Sequence, residues 1–167
     1  TLEALDAYTS KRIAASTGFT EPNNKTIVAE QIQKALLKQI DLFTNQLQSH
    51  FNDMFENGRE VIITLKRWEN WENNFETEIS NEEIIEHIKQ RMNENTVNHR
   101  FNMSDANENF IRFEKVRIPL FDKNNQPIDA RDFGKGLQKH LKKAPFNFEV
   151  KLMTRGLGEA ILIVGEK

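Results

Sequence analysis

The strongest hydrophobic signal in the chain lies between Val28 and Met54. Val28, Ile32, Leu36, Ile40, Phe43, Leu47, Phe51 and Met54 follow one another at steps of four and three, the spacing that gathers side chains on one helical face. The pattern predicts one long amphipathic helix, roughly 45 Å long at about 1.5 Å per residue. Asn24 or Thr26 is expected to cap its start, and Asn57-Gly58 to end it. Upstream, Leu2, Leu5, Tyr8 and Ile13 give a weaker helical pattern over 1–16, after which Gly18 and the Glu21-Pro22-Asn23-Asn24 turn read as a linker.

The period then changes. Residues 60–67 are rich in β-branched side chains and predict a strand with Val61, Ile63 and Leu65 on one face. Ser80 or Asn81 with Glu83 resembles a helix start, continued by Ile84, Ile85, Ile88 and Met92 to about Asn95. The polar stretch 96–108 reads as a loop anchored by Phe101 and Met103. Over 110–121 the apolar positions switch from odd (Ile111, Phe113) to even (Val116, Ile118, Leu120), so a β-bulge near Glu114-Lys115 is needed to keep them on one face. Asp129 is expected to cap a third helix carrying Phe133, Leu137 and Leu141. Phe146, Phe148, Val150 and Leu152 then alternate, and a turn at Gly156-Leu-Gly158 leads into the apolar strand 160–164.

Together these elements predict an α/β (α+β) fold. Its sheet is mixed or mostly antiparallel, with about four strands, and a long helix and two shorter helices pack on it. The expected division is a short N-terminal helix and linker over 1–24, followed by a single α/β domain over 25–167. A chain of 167 residues can bury roughly 70% of its unfolded surface, enough for a core without covalent staples. The absence of cysteine removes disulfides and thiol chemistry from consideration, and 18 asparagines contribute to a mean hydropathy of −0.65. The longest unbroken apolar run, 160–164, falls far short of the ~18 to 20 residues of a membrane span. Because the sequence begins at Thr1, a leader, lipid anchor or further domain is expected upstream.

Catalytic and metal signatures are weak. His50, His87, His99 and His140 are far apart, without the spacing that pairs two imidazoles on one helical face. The 25 acidic residues offer many pairs and so no specificity; Glu82, Glu83 and Glu86 suit the positive end of a helix dipole. Asp122-Lys-Asn-Asn lacks the glycine and closing glutamate of a calcium loop. No phosphate-binding or nucleophile-elbow motif occurs, so no catalytic residue, metal or cofactor is expected.

Charge is more informative. Between Glu56 and Glu94, ten glutamates face five basic residues, net −5, whereas between Arg131 and Arg155 seven basic residues face Asp132 and Glu149, net +5. The overall −2 therefore conceals a two-ended distribution. Lys135, Lys139, Lys142 and Lys143 can share one solvated helix face, a candidate contact for an acidic partner or for a second copy of the chain. The pI near 6.1 argues against nucleic acid as the partner. Trp68 and Trp71, set among Glu69 and Glu72, either close the end of a core or form an exposed aromatic shelf for a glycan, peptide or protein.

Three stretches of the tail carry a resemblance: Phe113-Glu-Lys-Val-Arg-Ile-Pro-Leu-Phe-Asp122, Asp129-Ala-Arg-Asp-Phe133, and Lys151-Leu-Met-Thr-Arg-Gly-Leu-Gly-Glu-Ala-Ile-Leu-Ile-Val-Gly165. They look like bacterial envelope proteins of unknown function, secreted or lipid-anchored. The strand, helix, hairpin order over 108–167 is similar to small α/β modules of envelope assembly proteins such as the flagellar assembly protein T and the curli secretion lipoprotein. The resemblance implies an exported, periplasmic or lipid-anchored protein and brings no catalytic residues. The leading expectation is a non-enzymatic interaction or assembly module with a protein partner or self-association. Ligand binding by the Trp pair is the alternative, and a hydrolase using acidic residues the third.

Overall fold

The computed structural model describes residues 1–19 and 28–166. The turn expected at 21–24 and the caps Asn24 and Thr26 lie outside the described residues. Contacts divide the chain into two compact units, Thr1–Glu56 and Asn57–Lys167.

The first unit opens with an antiparallel hairpin of β1 (Leu2–Leu5) and β2 (Arg12–Ser16) in place of the expected short helix. The reason lies in the turn. The Asp6 carboxylate takes the backbone N–H groups of Tyr8 (2.8 Å) and Thr9 (2.7 Å), drawing them away from helical bonds, and Ser10 adopts a left-handed backbone with φ 57°. Burial works to raise the Asp6 pKa, but these N–H bonds, with Thr9 Oγ1 and the nearby His50, hold the carboxyl below its ordinary value.

The expected long helix is two helices, α1 (Val28–Leu37) and α2 (Ile40–Asn57). Between them the chain tightens: Gln39 N–H donates to the Leu36 carbonyl at 2.9 Å, three residues back. The Gln39 side chain is engaged as well, accepting the Ser16 hydroxyl at 2.9 Å. Farther along α2, Gln46 makes a two-way bond with the Ala15 backbone (2.9 and 3.1 Å), and His50 stands 3.4 Å from Asp6. The hairpin is therefore met by polar side chains of the helices.

The second unit contains β3 (Arg59–Arg67), a small hairpin of β4 (Glu78–Ile79) and β5 (Glu82–Glu83), α3 (Ile84–Asn95), β6 (Asn102–Asn107), β7 (Phe110–Ile118), α4 (Ala130–Leu141), β8 (Val150–Arg155) and β9 (Glu159–Val164). Its main sheet has five strands in the order β6-β7-β3-β9-β8, with β3 and β9 parallel and the other neighbours antiparallel. The architecture is thus mixed α+β, with one strand more than expected in this sheet. The extra strand is β6, expected as loop because its asparagines and serine hide the period, and it lies at the sheet edge.

The bulge in β7 is present. Val61 pairs with Val116 but Ile63 with Phe113, so β7 holds one residue too many, and Lys115 takes φ 51°. Phe113 and Val116 are consequently both buried. Together with Val61, Ile63, Leu65, Ala160, Leu162 and Val164 they form one face of the sheet's core, to which α3 adds Ile84, Ile88 and Met92 and α4 adds Leu137 and Leu141. Asp129 caps α4 as expected, accepting the Asp132 N–H at 2.9 Å. Ser80 and Asn81 do not cap α3; they form the left-handed turn of the β4–β5 hairpin, with φ 57° and 69°. Phe146 and Phe148 are buried but precede β8, which begins only at Val150.

Candidate functional site

The tryptophans do not form a shared shelf. Trp68 is 39% exposed, but Trp71 packs on the core, edge-on to Phe75 (ring centroids 6.0 Å apart) and Phe148 (4.8 Å). The Arg67 guanidinium donates to the Trp71 carbonyl at 2.7 Å and fixes the turn that carries it. Of the expected aromatic pair, Trp68 is exposed and Trp71 half-buried.

Lys135, Lys139, Lys142 and Lys143 are all exposed around the second half of α4. Lys135 pairs with Asp132 at 2.9 Å, which lowers the Asp132 pKa, and Lys142 lies 3.7 Å from Glu149. Among the described residues Lys139 and Lys143 have no ion pair, so two of the four charges are open to an outside anion.

Two arrangements were not legible in the sequence. The first is a polar cluster on the sheet. Glu159 and Thr64, 8% and 2% exposed, are hydrogen-bonded at 3.1 Å, and Arg112 reaches Glu159 at 3.1 Å while its Nε holds Glu114 at 2.9 Å. The Glu114 hydrogen bond outweighs partial burial, and with Glu159 it raises the Arg112 pKa. Thr64 and Arg112 are register partners on β3 and β7, so pairing of strands distant in sequence creates the cluster.

The second is a cleft of about 470 Å³ between α3, α4 and the chain over 119–128. Met92 and Leu137 are buried beneath it, Ile128 and Phe133 are half-buried at its sides, and Pro119 and Pro127 contribute rigid apolar walls. On its α3 side stand Arg91 and Asn95; on the other stand Asp122, Gln126 and Asp132. Asp122 Oδ1 is fixed by the N–H groups of Asn124 and Gln126, both at 2.8 Å. The turn that sequence reading compared with a calcium loop is thus held by its own backbone bonds.

Two glycines on α4 differ sharply. A Cβ at Gly134 would lie 3.0 Å from both Ala160 Cβ and Leu152 Cδ1, so helix and sheet pack closely there and a side chain would need its neighbours to yield by a few tenths of an ångström. A Cβ at Gly136, which lines the cleft, would have no described atom within 4 Å. Glycine inside a helix costs about 1 kcal/mol relative to alanine, and packing gives no return for it at Gly136.

Beside the cleft, His87 and His140 both face Phe146, with ring centroids 5.1 and 5.3 Å away. Among the described residues no group of three His, Cys, Asp or Glu side chains gathers as a metal site would require, and no helix is long and apolar enough to cross a membrane. No curated protein and no solved structure shows significant similarity to the chain. Residues 59–165, from the start of β3 to the end of the sheet and including the whole cleft, match a domain of unknown function (DUF6175), and the chain belongs to that family.

Proposed function

We propose that the chain is a non-enzymatic interaction module that associates through the helices of its first unit. One observation carries this reading: no residue of α1 or α2 is buried, although they hold the most regular apolar stripe in the sequence. Val28, Ile32, Ile40, Phe51 and Phe55 are 43–70% exposed. Contiguous apolar surface of this kind marks an association site.

The occupant that fits best is a second copy of the same helices. Lys34 near the end of α1 and Lys38 just after it stand between Glu30 and Asp41, and Asp53 and Glu56 stand at the end of α2. A two-fold, antiparallel pairing sets the positive end of each copy against the negative end of the other. Light scattering after size exclusion tests this. A dimer is expected, reduced to monomer by Ile40→Lys with Phe51→Lys, weakened by Lys34→Glu with Lys38→Glu, and restored when Glu56→Lys is added. A monomer at every concentration and salt overturns it.

Placement in a bacterial envelope protein is supported by the resemblance of 108–167 to envelope assembly modules, and a lipid anchor upstream belongs to the same reading. A signal peptide or lipidation site in the gene would support it; export-free expression in the native organism would count against it. The open Lys139 and Lys143 support a further contact with an acidic partner.

A further inference from the structure

The cleft between α3, α4 and 119–128 is independent of the association surface and belongs to the second unit alone. Its volume of about 470 Å³ falls within the ~300–1,000 Å³ of small-molecule sites, and it joins a mostly apolar floor to a few polar groups at the rim, the usual composition of such sites. The polar groups are segregated by charge. Arg91 lies on the α3 wall and Asp122 on the 119–128 wall, while Asp132 on α4 is paired with Lys135 at 2.9 Å.

We propose that this cleft binds a small zwitterion with an apolar body, of the class of short apolar peptides with free termini. The side chains rest on Met92, Phe133 and Leu137, the terminal ammonium meets Asp122, and the terminal carboxylate meets Arg91 and Asn95.

Three features support a built site. Asp122 is held by two backbone N–H groups on Oδ1, so its carboxylate is oriented in advance, and among the described residues Oδ2 has no partner. Among the described residues Arg91 makes one ion pair, Nη1 to Glu94 at 3.3 Å, which leaves other N–H groups for a carboxylate, and a guanidinium binds a carboxylate in a two-pronged fashion. Gly136 gives up helix stability where nothing in the fold needs the space, and the space it leaves is the cleft.

Gly136 also makes the test specific. In the full chain, a Gly136→Ala variant is expected to unfold at the same or a higher temperature, because it removes a helix-interior glycine without a clash. The same change places a methyl group in the cleft. Calorimetric titration and amide-shift mapping with the dipeptide Leu-Phe are expected to show saturable binding, with shifts centred on α3, α4 and 119–128. Gly136→Ala should weaken that binding at least tenfold, as should Asp122→Asn, and capping both termini as N-acetyl-Leu-Phe-amide should weaken it at least tenfold in the unaltered chain. No saturable binding at millimolar peptide, shifts centred elsewhere, or affinity indifferent to Gly136→Ala overturns the site. Equal affinity for the capped peptide overturns the zwitterion assignment.

Discussion

The indole of Trp71 occupies the space that any side chain at Gly165 would need, and Gly165 has a left-handed backbone, φ +91°. Both conditions act against substitution, so Gly165→Ala is expected to lose about 2 to 4 kcal/mol through strain and overpacking. Trp71→Ala, which empties the space between Phe75 and Phe148, is expected to lose a similar amount. Trp68→Ala should stay within about 0.5 kcal/mol, since surface positions tolerate truncation. Urea unfolding of the three variants separates the two tryptophans; equal losses at both would show Trp68 to be core as well.

The Arg112–Glu159–Thr64 cluster gives a second comparison. Arg112→Met leaves a nearly buried Glu159 carboxylate without its main cation, an expected loss of about 1 to 3 kcal/mol after allowance for the partial exposure of Arg112. Arg155 also faces Glu159, at 3.7 Å, but its side chain is 80% exposed, and Arg155→Met is expected to cost no more than about 0.5 kcal/mol. Denaturant midpoints of the two variants provide the check. If Arg155→Met costs as much as Arg112→Met, the carboxylate is held by both cations alike.

The contrast between what was legible and what was not follows from sequence separation. Local signals succeeded: β-branched density marked β3, the odd-to-even switch marked the bulge at Lys115, and Asp129 marked the start of α4. Periodicity misled where polar side chains outcompeted it. The stripe from Val28 to Met54 is real, but Gln39 engages Ser16 and the helix divides; the pattern over 1–16 yields to the Asp6 turn. β6 lacked a signal because an edge strand of asparagines has no apolar alternation. The cleft brings α3 beside chain 24 or more positions away, and the Thr64–Arg112–Glu159 cluster joins residues up to 95 positions apart, which spacing rules do not reach. The two glycines inside α4, Gly134 and Gly136, are alike in sequence, and only the packing around them tells the one against the sheet from the one at the cleft.

His140 makes stability depend on pH in a stated direction. Burial, reinforced by Arg91, His87 and Lys143 and opposed by Glu94, lowers its pKa below the ordinary 6.5. The unfolded chain therefore takes up this proton before the folded one does. Stability is lost as pH falls through about 6.5, and the loss is complete once pH is below the folded-state value. His140→Gln removes that term, so the fall in urea midpoint between pH 7.5 and 5.5 is expected to be smaller in the variant. An equal fall in both proteins would assign the pH dependence to other groups.

The distribution of buried side chains implies that the second unit folds without the first. Every member of the main hydrophobic cluster lies between Val61 and Val164, including the largest fully buried side chains, Phe75 and Phe113. Among its described residues the first unit buries only Ala14 and Ser16 to the same degree, and its helices bury nothing completely. Hydrophobic burial is the main favourable term in folding, so cooperativity should reside in 57–167. A fragment of those residues is expected to show a single unfolding transition with a midpoint close to that of the full chain. Residues 1–56 alone should show hairpin and helix signals that fade gradually with temperature, and greater helicity at high concentration if their apolar stripes pair. Loss of a cooperative transition in 57–167 would show that the family domain needs the first unit to fold.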